Sequence, residues 1–371
     1  MKKVLILANS SSGLYDFRND LIKSLLTEHE VVVSLPDDMK IKELSDEGVR
    51  IVRTDINRRG VNPKEDIKLY KEYKKLIKSE KPDMILTYTI KPNIYGGYAA
   101  RRLKVPYIST ITGLGSAFQK EGIFKRMIVI MYRTAFKRAS CVFFQNSENM
   151  RIFRECGITK DSIQTVLVNG SGVDFAMHSV LEYPDETNGV QLLYVGRNMK
   201  EKGTDELLEA AKYFGEHKNL YHDKITFKLL GYSDENYDEI LKEYENKGYI
   251  VTHPFDTDVT KHLKECSGVI LPTYHEGMSN VLQEAAATGR PVIATNIPGC
   301  REIFEDNVTG IGCEPRSASS LIEAVNRFVA MSRNERIEMG LRGRAKVENE
   351  FDRKKITEAY INVIKKIEDS K

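Results

Sequence analysis

Short apolar segments alternate with longer amphipathic segments along almost all of the 371 residues. The apolar segments have the length and continuity of strands buried on both faces, and the amphipathic segments have helical spacing. Repeated strand–helix alternation predicts parallel sheets that are covered by helices on both faces. The chain is therefore expected to form an α/β protein.

The alternation runs through two successive cycles. In the first, we predict strands at residues 4–8, 30–35, 84–87, 107–110 and 142–145, with helices at 17–28 and 64–79. In the second, we predict strands at 191–195, 226–230, 268–271 and 291–294, with helices at 205–214, 235–246 and 281–287. The end of the chain is predicted to be helical at 317–331, 333–347 and 353–368.

A cluster of Pro, Gly, Asn and Asp at residues 183–189 is typical of a joint between two units. We therefore expect one domain at residues 1–183, a second at 184–352, and a final helix at about 353–371. Ligands of open α/β sheets bind beyond the carboxyl ends of the strands. Two such domains facing each other would place an active site in the cleft between them.

Charge is distributed unevenly, because residues 1–180 have a net charge of +10 and the remainder −7. A basic half indicates contact with an anionic surface. Nucleic acid is not the expected partner, since the sequence has no zinc-finger spacing, RNP-type motif or heptad-linked basic region.

The first apolar segment ends at Asn9, which makes it shorter than the apolar core of a signal peptide. The five cysteines contain no C-x-x-C pair, as expected for free thiols in a reducing compartment. No apolar run approaches the length needed to cross a bilayer. We therefore expect a cytoplasmic protein.

Residues 274–295 read as a strand end, a Gly-containing loop, a helix, a Gly-x-Pro turn and a strand. The free N–H groups at such a helix start favour an anion. We expect Asn280 to cap this helix with Gln283 as its capping-box partner. Glu276 would lie in the loop and Glu284 in the first helical turn, where carboxylates can accept hydrogen bonds from sugar hydroxyls. The alternative is the ordinary preference of acidic residues for helix N-termini.

A second motif, residues 194–203, begins at a strand end and passes two glycines before a helix. Arg197 has a planar fork suited to a diphosphate, and Lys202 supplies a point charge. Two cations opposite a helix N-terminus would neutralise a departing diphosphate. The alternative is a solvated basic turn.

Together these motifs resemble glycosyltransferase family 4, a retaining group with the GT-B fold. The matching positions are Gly196 and Arg197 with Lys202, residues 229–231, Glu276 with Glu284, residues 289–295 and 298–302, and the interdomain-like segment 169–174. The resemblance implies two Rossmann-like doubly wound domains facing across a cleft, with the C-terminal helix crossing back to the N-terminal domain. It also implies a nucleotide sugar, expected to be UDP-linked, as the substrate of a metal-independent hexosyltransferase.

Roles for individual residues follow from the same resemblance. Glu276 would contact the donor sugar, Arg197 and Lys202 the diphosphate, and Glu284 the ribose. The donor site would be completed by Gly196, by the amides of Gly277, Met278, Ser279 and Asn280, and by Gly231, Tyr232 and residues 252–255 around the base.

Residues 87–93 and 111–118 look like those of enzymes that build capsule, exopolysaccharide and O-antigen units, which usually extend a sugar on a polyprenyl diphosphate. Many family members place a His near the reacting centre, but the matching region here is Thr-Ile-Thr-Gly at 110–113. The donor phosphate oxygen is therefore expected to take the acceptor proton.

The first loop, residues 9–18, is expected to face the same cleft. Gly13 would allow a close backbone approach to the diphosphate. Asp16, Arg18 and Thr112 are candidates for contact with the acceptor. Ordinary helix-start residues are the alternative for Asp16 and Arg18.

Residues 118–139 combine basic and apolar side chains at helical spacing. Such a basic amphipathic helix can lie on the anionic inner surface of the cell membrane. We expect this peripheral contact, with a helix packed on the core as the alternative.

Two other patterns carry less weight. Asp256-Thr257-Asp258 has the D-x-D spacing of a metal motif, but we expect it to cap a helix at 259–266. The seven histidines show no metal-ligand spacing, so no metal is expected.

The predicted function is transfer of a hexose or N-acetylhexosamine to a lipid-linked saccharide in surface polysaccharide synthesis. A sugar-nucleotide epimerase and a noncatalytic nucleotide-sugar-binding protein are the alternatives.

Overall fold

A computed structural model describes residues 1–57, 62–115, 118, 122–221, 223–234 and 236–370. The chain forms two compact units. The first comprises Met1–Gly172 together with Arg353–Lys371, and the second comprises Val173–Asp352. Residues 116–117, 119–121, 235 and 371, which fall in segments predicted above, lie outside the described residues.

The first unit has a parallel sheet of seven strands in the order β3-β2-β1-β4-β5-β6-β7. The strands are β1 Lys2–Leu7, β2 His29–Leu35, β3 Arg50–Arg53, β4 Met84–Tyr88, β5 Tyr107–Ile111, β6 Cys141–Phe144 and β7 Gln164–Leu167. The helices are α1 Ser11–Leu26, α2 Ile41–Asp46, α3 Pro63–Glu80, α4 Gly97–Leu103, α5 Ile123–Phe136 and α6 Ser147–Glu155, with a π-helical turn at Pro92–Gly96.

The second unit has a parallel sheet of six strands in the order β10-β9-β8-β11-β12-β13. The strands are β8 Val190–Val195, β9 Ile225–Leu230, β10 Ile250–His253, β11 Gly268–Leu271, β12 Val292–Thr295 and β13 Gly310–Cys313. The helices are α7 Thr204–Glu216, α8 Asp238–Asn246, α9 Val259–Glu265, α10 Asn280–Ala287, α11 Ala318–Ala330 and α12 Arg333–Glu350.

In both sheets the strand order reverses once, between β1 and β4 in the first unit and between β8 and β11 in the second. At such a switch point the loops after the two strands leave in opposite directions, and the opening between them is the usual ligand site of a doubly wound sheet. The predicted α/β architecture is confirmed, and it gives each unit one such opening.

The last helix, α13 Arg353–Asp369, belongs to the first unit, as predicted. Its buried residues Ile356, Tyr360 and Ile364 share a hydrophobic cluster with β1 and α1. The Tyr360 ring stacks on Phe143 with centroids 3.9 Å apart, and its hydroxyl lies 2.8 Å from Thr110 Oγ1. These contacts tie the end of the chain to the first sheet.

The second unit begins at Val173, before the joint expected at residues 183–189. Segment 173–189 is packed rather than free, since the Leu181 N–H donates to Thr288 O and the Tyr183 hydroxyl donates to Ser267 O. The turn-forming composition of 183–189 therefore reflects a loop that is attached to the second unit.

The strand at 142–145 is the last one predicted for the first unit, but a further strand, β7, follows it at the edge of the sheet. β7 and β3, which the sequence analysis also lacked, are four-residue strands at the two sheet edges, and both have exposed ends. Edge strands of this kind have little apolar signal. Among the described residues, no helix is both long and apolar enough to span a bilayer.

Candidate active site

The predicted donor residues meet at the switch point of the second unit. Gly196 and Arg197 follow β8 directly, and the loop that follows β11 leads through Glu276 into α10. Backbone hydrogen bonds join the two loops, because the Tyr274 N–H donates to Glu201 O at 3.0 Å. The sequence motifs read separately above therefore form one site.

Two glycines allow the loops to approach so closely. Gly203 has φ +73°, and a Cβ at this position would lie 2.0 Å from the Pro272 carbonyl oxygen. Gly231 has φ +153°, and its Cβ would lie 1.9 Å from the carbonyl oxygen of Gly196. Any larger residue at either position would separate loops that this site needs together.

The start of α10 differs from the prediction. Ser279, not Asn280, is the N-cap, and its hydroxyl accepts from the Leu282 N–H at 3.3 Å. Gln283 forms no capping box, since its side-chain amide donates to Ser279 O. Because Ser279 is the cap, the helix begins at Asn280, one residue earlier than predicted. Glu284 therefore lies beyond the first turn, where it is half-buried.

One of the four predicted donor amides is already engaged. The Ser279 N–H donates to the Gly299 carbonyl at 2.8 Å, which anchors the loop to the segment after β12. Met278 is buried in the hydrophobic core of the unit. The Ser279 N–H is therefore not available to a ligand at this helix start.

Lys202 and Glu276 form an ion pair across the two loops, through Nζ and Oε1. Both side chains are largely shielded from solvent. The sequence analysis assigned them to different parts of a donor, the diphosphate and the sugar. Their ion pair places a cation next to a carboxylate at the position where the diphosphate and the sugar of a donor would be joined.

Arg197 pairs with Asp234, a residue that the sequence analysis did not select. The Arg197 side chain is 39% exposed, so one side of its guanidinium remains accessible. Its main-chain oxygen accepts from the buried Tyr194 hydroxyl at 2.7 Å, which fixes the turn after β8. Asp234 lies too far along the chain to be linked with Arg197 by any sequence motif.

His275 adds a titratable group beside the ion pair. Its Nε2 lies 3.4 Å from Glu201 Oε2. Burial lowers the pKa of His275, although the nearby carboxylates of Glu201 and Glu276 oppose that shift. The imidazole is thus held mainly neutral near neutral pH.

Cys300 lies in the turn after β12 but is unsuited to nucleophilic chemistry. Burial raises the pKa of its thiol well above the usual value. The neighbouring Glu302 carboxylate accepts from the Gly299 N–H at 2.7 Å and so stabilises the turn. These two residues support the loop rather than the reaction.

A cavity of about 440 Å³ adjoins the site at the carboxyl ends of β9 and β10. Gly231, Tyr232, Thr252 and His253, which belong to the region predicted for the base, contribute to its lining. Tyr232 and Phe255 are exposed, and their rings lie edge to face at 6.3 Å. An exposed aromatic beside a polar cavity can stack on a planar ring.

Three of the first-unit candidates, Gly13, Asp16 and Arg18, lie on a helix rather than in a loop, because α1 begins at Ser11. Gly13 is therefore in the first helical turn, where its N–H donates to the Ser10 hydroxyl at 3.2 Å. Asp16 is exposed on α1, Arg18 is buried, and Thr112 is half-buried after β5.

The predicted membrane helix is shorter than expected and has two different faces. Within the predicted segment 118–139, α5 covers Ile123–Phe136. Ile128 and Phe136 pack in the core, whereas Ile123 is 87% exposed and Ile130 59%. The alternative of core packing therefore holds for one face, and the other face presents apolar groups to solvent.

The D-x-D segment does not cap α9 as predicted. Asp258 is the N-cap residue but makes no side-chain capping bond. Instead the Asp256 carboxylate pairs with Lys261 and His262 and accepts from the Asp258 N–H at 3.0 Å. Within the described ranges, no cluster of His, Cys, Asp or Glu has the geometry of a metal site.

Family comparisons match nearly the whole chain in two parts. Residues 182–346 match the family described as "Glycosyl transferases group 1", and residues 3–146 match "Glycosyl transferase 4-like". The chain belongs to the group 1, family 4-like glycosyltransferases. It is a glycosyltransferase, and the predicted family is confirmed.

Three curated bacterial relatives of this glycosyltransferase are named as follows. The N,N'-diacetylbacillosaminyl-diphospho-undecaprenol alpha-1,3-N-acetylgalactosaminyltransferase of Campylobacter jejuni is 24% identical over 98% of this chain and 99% of its own length. The UDP-Gal:alpha-D-GlcNAc-diphosphoundecaprenol alpha-1,3-galactosyltransferase of Escherichia coli is 26% identical over 72% of each chain. The capsular polysaccharide enzyme CapM of Staphylococcus aureus is 26% identical over 85% of this chain and 86% of its own length.

Solved structures establish the fold of the glycosyltransferase as GT-B. HepE of Anabaena in complex with UDP and glucose superposes with a TM-score of 0.79 at 18% identity, covering 98% of this chain and 100% of HepE. Sucrose-phosphate synthase of Thermosynechococcus elongatus superposes with a TM-score of 0.80 at 17% identity, covering both chains completely.

Proposed function

We propose that this glycosyltransferase moves a hexose or N-acetylhexosamine from a UDP-sugar to a saccharide carried on a polyprenyl diphosphate, with retention of configuration. The observation that supports this most is the meeting of Arg197, Lys202 and Glu276 at the switch point of the second unit. Two cations and a carboxylate match the charge of a diphosphate joined to a sugar.

The choice of donor and acceptor rests on relatives and on the cavity. The E. coli relative is named for UDP-galactose, and both it and the C. jejuni relative are named for undecaprenyl diphosphate-linked acceptors. The cavity beside Tyr232 and His253 has room for a planar base next to the cations. A nucleoside diphosphate sugar would then extend from this cavity towards Glu276.

In the proposed reaction, the bond between the sugar C1 and the diphosphate oxygen breaks, and UDP departs. Arg197 and Lys202 offset the negative charge that grows on the diphosphate. The acceptor hydroxyl oxygen bonds to C1 from the face that UDP leaves, and its proton passes to a phosphate oxygen of the leaving group. Glu276 would hold sugar hydroxyls, since an ionised carboxylate accepts hydrogen bonds from donors on its substrate.

The reaction is proposed to proceed without a metal ion, because the two side-chain cations can neutralise the leaving diphosphate. The measurement is the transfer rate after treatment with EDTA and gel filtration. An unchanged rate is expected. A loss that Mg²⁺ or Mn²⁺ restores would contradict this part of the proposal.

The enzyme is proposed to act in the cytoplasm on the anionic inner face of the cell membrane, through α5. Exposed Ile123 and Ile130 lie on the same helix as Arg126 and Arg133, which are also exposed. Apolar side chains flanked by cations suit the headgroup region of an anionic leaflet. Lys120, counted in the predicted segment, lies outside the described residues.

Vesicle binding tests this surface. The double variant Ile123→Ser with Ile130→Ser should bind vesicles rich in phosphatidylglycerol several-fold more weakly than the wild type. Leu220→Ser is the matched control, since Leu220 is 72% exposed in the second unit, and it should bind like the wild type. Equal binding by the double variant and the wild type would exclude α5 as the contact.

The function itself is tested by following UDP release from UDP-sugars with and without a polyprenyl diphosphate-linked saccharide. Release that depends on the acceptor, together with a lengthened saccharide, is the expected result. Interconversion of the nucleotide sugar without an acceptor would favour an epimerase. Binding without turnover, across UDP-glucose, UDP-galactose and their N-acetylated forms, would favour a noncatalytic protein.

A further inference from the structure

Arg18 on α1 is a buried cation that forms no ion pair with any carboxylate of the described residues. Its side chain is only 6% exposed. The guanidinium carbon lies 5.4 Å from the ring centre of Tyr88 and 5.7 Å from that of Tyr360. In the part of the chain that the structure describes, no side chain or carbonyl accepts a hydrogen bond from Arg18.

The two aromatic rings account for only part of what this guanidinium needs. Rings attract the positive charge, whereas the five N–H donors require acceptors. The other deeply buried arginines do have them: Arg290 donates to Leu263 O at 2.8 Å, and Arg336 pairs with Glu186. The Arg18 donors, by contrast, have no protein acceptor among the described residues, which leaves them available to a ligand.

Arg18 lies at the switch point of the first sheet. Tyr88 is the last residue of β4, and α1 is the helix that follows β1, so the guanidinium lies where the strand order reverses. The Tyr88 hydroxyl and the hydroxyl of the next residue, Thr89, are both sealed from solvent, with no partner among the described residues. The Arg18 guanidinium therefore lies against a ring with an unpartnered hydroxyl, at the expected ligand position of this unit.

Thr89 adds a further sign of function at this edge. Its φ of +70° is rare for a β-branched residue and costs free energy. Strain of this kind clusters at ligand sites.

The N-terminus of α1, by contrast, is already filled by the protein. The Ser11 N–H donates to the Asp37 carboxylate at 3.0 Å, and the Gly13 N–H donates to the Ser10 hydroxyl. An anion that reaches this edge of the first sheet would therefore be recognised by the Arg18 side chain rather than by the helix start.

We propose that Arg18 binds a phosphate oxygen of the diphosphate that joins the acceptor saccharide to its lipid. This inference rests on the proposed function. The donor diphosphate is assigned to Arg197 and Lys202 of the second unit, which leaves the acceptor as the source of a second diphosphate. Arg18 lies in the basic half of the chain, residues 1–180, and in the same unit as α5.

A binding experiment tests the inference apart from catalysis. Geranyl diphosphate is titrated into the full chain in the presence of saturating UDP, so that the site on the second unit is filled. The wild type should bind, and Arg18→Gln should bind about 10- to 100-fold more weakly, as expected for loss of a charge-assisted hydrogen bond. Geranyl phosphate and inorganic pyrophosphate, titrated in the same way, separate recognition of the phosphates from recognition of the isoprenoid.

Two further variants serve as controls for this experiment. Arg18→Lys keeps a cation over the two rings but loses the planar fork, so it should bind with intermediate affinity and remain folded. Arg50→Gln is the matched control, since Arg50 is an exposed arginine of the same unit paired with Glu80, and it should bind like the wild type. No binding by the wild type, or equal binding by Arg18→Gln, would overturn the inference.

A transfer experiment then separates a ligand contact from a purely structural role. For an acceptor linked to diphosphate, Arg18→Gln should lower kcat/KM about 10- to 100-fold, mainly through the acceptor KM. For an alkyl glycoside with the same saccharide and no phosphate, its kcat/KM should stay within about 2-fold of the wild type. Equal losses on both acceptors would overturn the inference, and so would a loss of affinity for UDP in a variant that keeps the wild-type melting temperature.

These outcomes are distinguishable from a failure of the proposed function. If the wild type transfers sugar to neither acceptor, the transferase proposal fails, but the geranyl diphosphate titration still decides the role of Arg18.

Discussion

Cations at the donor site are paired with carboxylates of the same unit, Lys202 with Glu276 and Arg197 with Asp234. Such pairs hold long, flexible side chains in one region before a ligand binds, which reduces the entropy lost on binding. They also mean that a diphosphate must share each cation with a carboxylate or displace it. The two glutamates of the motif should then respond differently to mutation.

Glu276→Gln should abolish most turnover while UDP binds at least as tightly as in the wild type. The reason is that the variant removes the sugar contact but frees Lys202 for the diphosphate. Glu284→Gln should instead weaken UDP binding about 10-fold through the loss of a hydrogen bond to the ribose. Calorimetric titration with UDP and steady-state kinetics measure both effects. Equal loss of UDP affinity in the two variants would contradict the assigned roles.

His253, in the lining of the base cavity, gives a pH-dependent prediction. Burial lowers its pKa, and the positive charges of His262 and Lys228 lower it further. Between the folded pKa and the usual value near 6.5, the unfolded chain binds a proton at this position that the folded chain does not. The free energy of unfolding should therefore fall as the pH is lowered through this interval. His253→Gln should show a smaller fall in urea denaturation between about pH 7 and pH 5, and an identical profile would refute the assignment.

The sequence predicted which residues lie at this site, but it did not predict which side chains form pairs there. The motifs placed Arg197, Lys202, Glu276 and Glu284 near one helix start. Asp234 was not predicted, because it comes after β9 and meets Arg197 only when β8 and β9 lie side by side. Among the described residues Arg18 has no hydrogen-bond acceptor, and this too can be seen only from the three-dimensional positions of its neighbours.

Among the secondary-structure elements, those with a strong apolar period were predicted within a few residues, as β11 and α11 illustrate. The elements that were missed have other causes. β13 consists of Gly-Ile-Gly-Cys, and glycines weaken a strand signal, while β3 and β7 lie at sheet edges with exposed ends. The start of α1 was placed too late because Ser10 to Gly13 resemble a loop in composition.

The close approach of the loops after β8 and β11 predicts an effect for Gly203→Ala. A left-handed backbone alone costs an alanine about 1–2 kcal/mol. Contact with the Pro272 carbonyl should add about 2 kcal/mol or more and should also weaken UDP binding. Urea denaturation and UDP titration measure the two effects.

Gly248→Ala is the control for this change. Gly248 has nearly the same φ, +72°, but a Cβ there would meet nothing within 4 Å. It should therefore show the backbone cost alone, with wild-type affinity for UDP. Equal destabilisation by both variants would mean that the contact with Pro272 is not important.

At the scale of the whole molecule, the chain has two doubly wound units, and each unit has one switch point. Arg18 lies at the first switch point without a carboxylate partner among the described residues. Arg197 and Lys202 lie at the second, and each is paired with a carboxylate. The alternation of strands and helices was sufficient to predict this duplication, whereas the return of α13 to the first unit was predicted from the family resemblance. The exact division at Val173 was not predictable, because it depends on the packing of Leu181 and Tyr183 rather than on turn composition.

The central claim is that the second unit holds a nucleoside diphosphate at its switch point. A crystal structure of the full chain with UDP tests it most directly. The account predicts phosphate oxygens within about 3 Å of the Lys202 ammonium and the Arg197 guanidinium, with the base beside Tyr232. UDP bound elsewhere on the chain, or bound there with neither cation in contact, would contradict it.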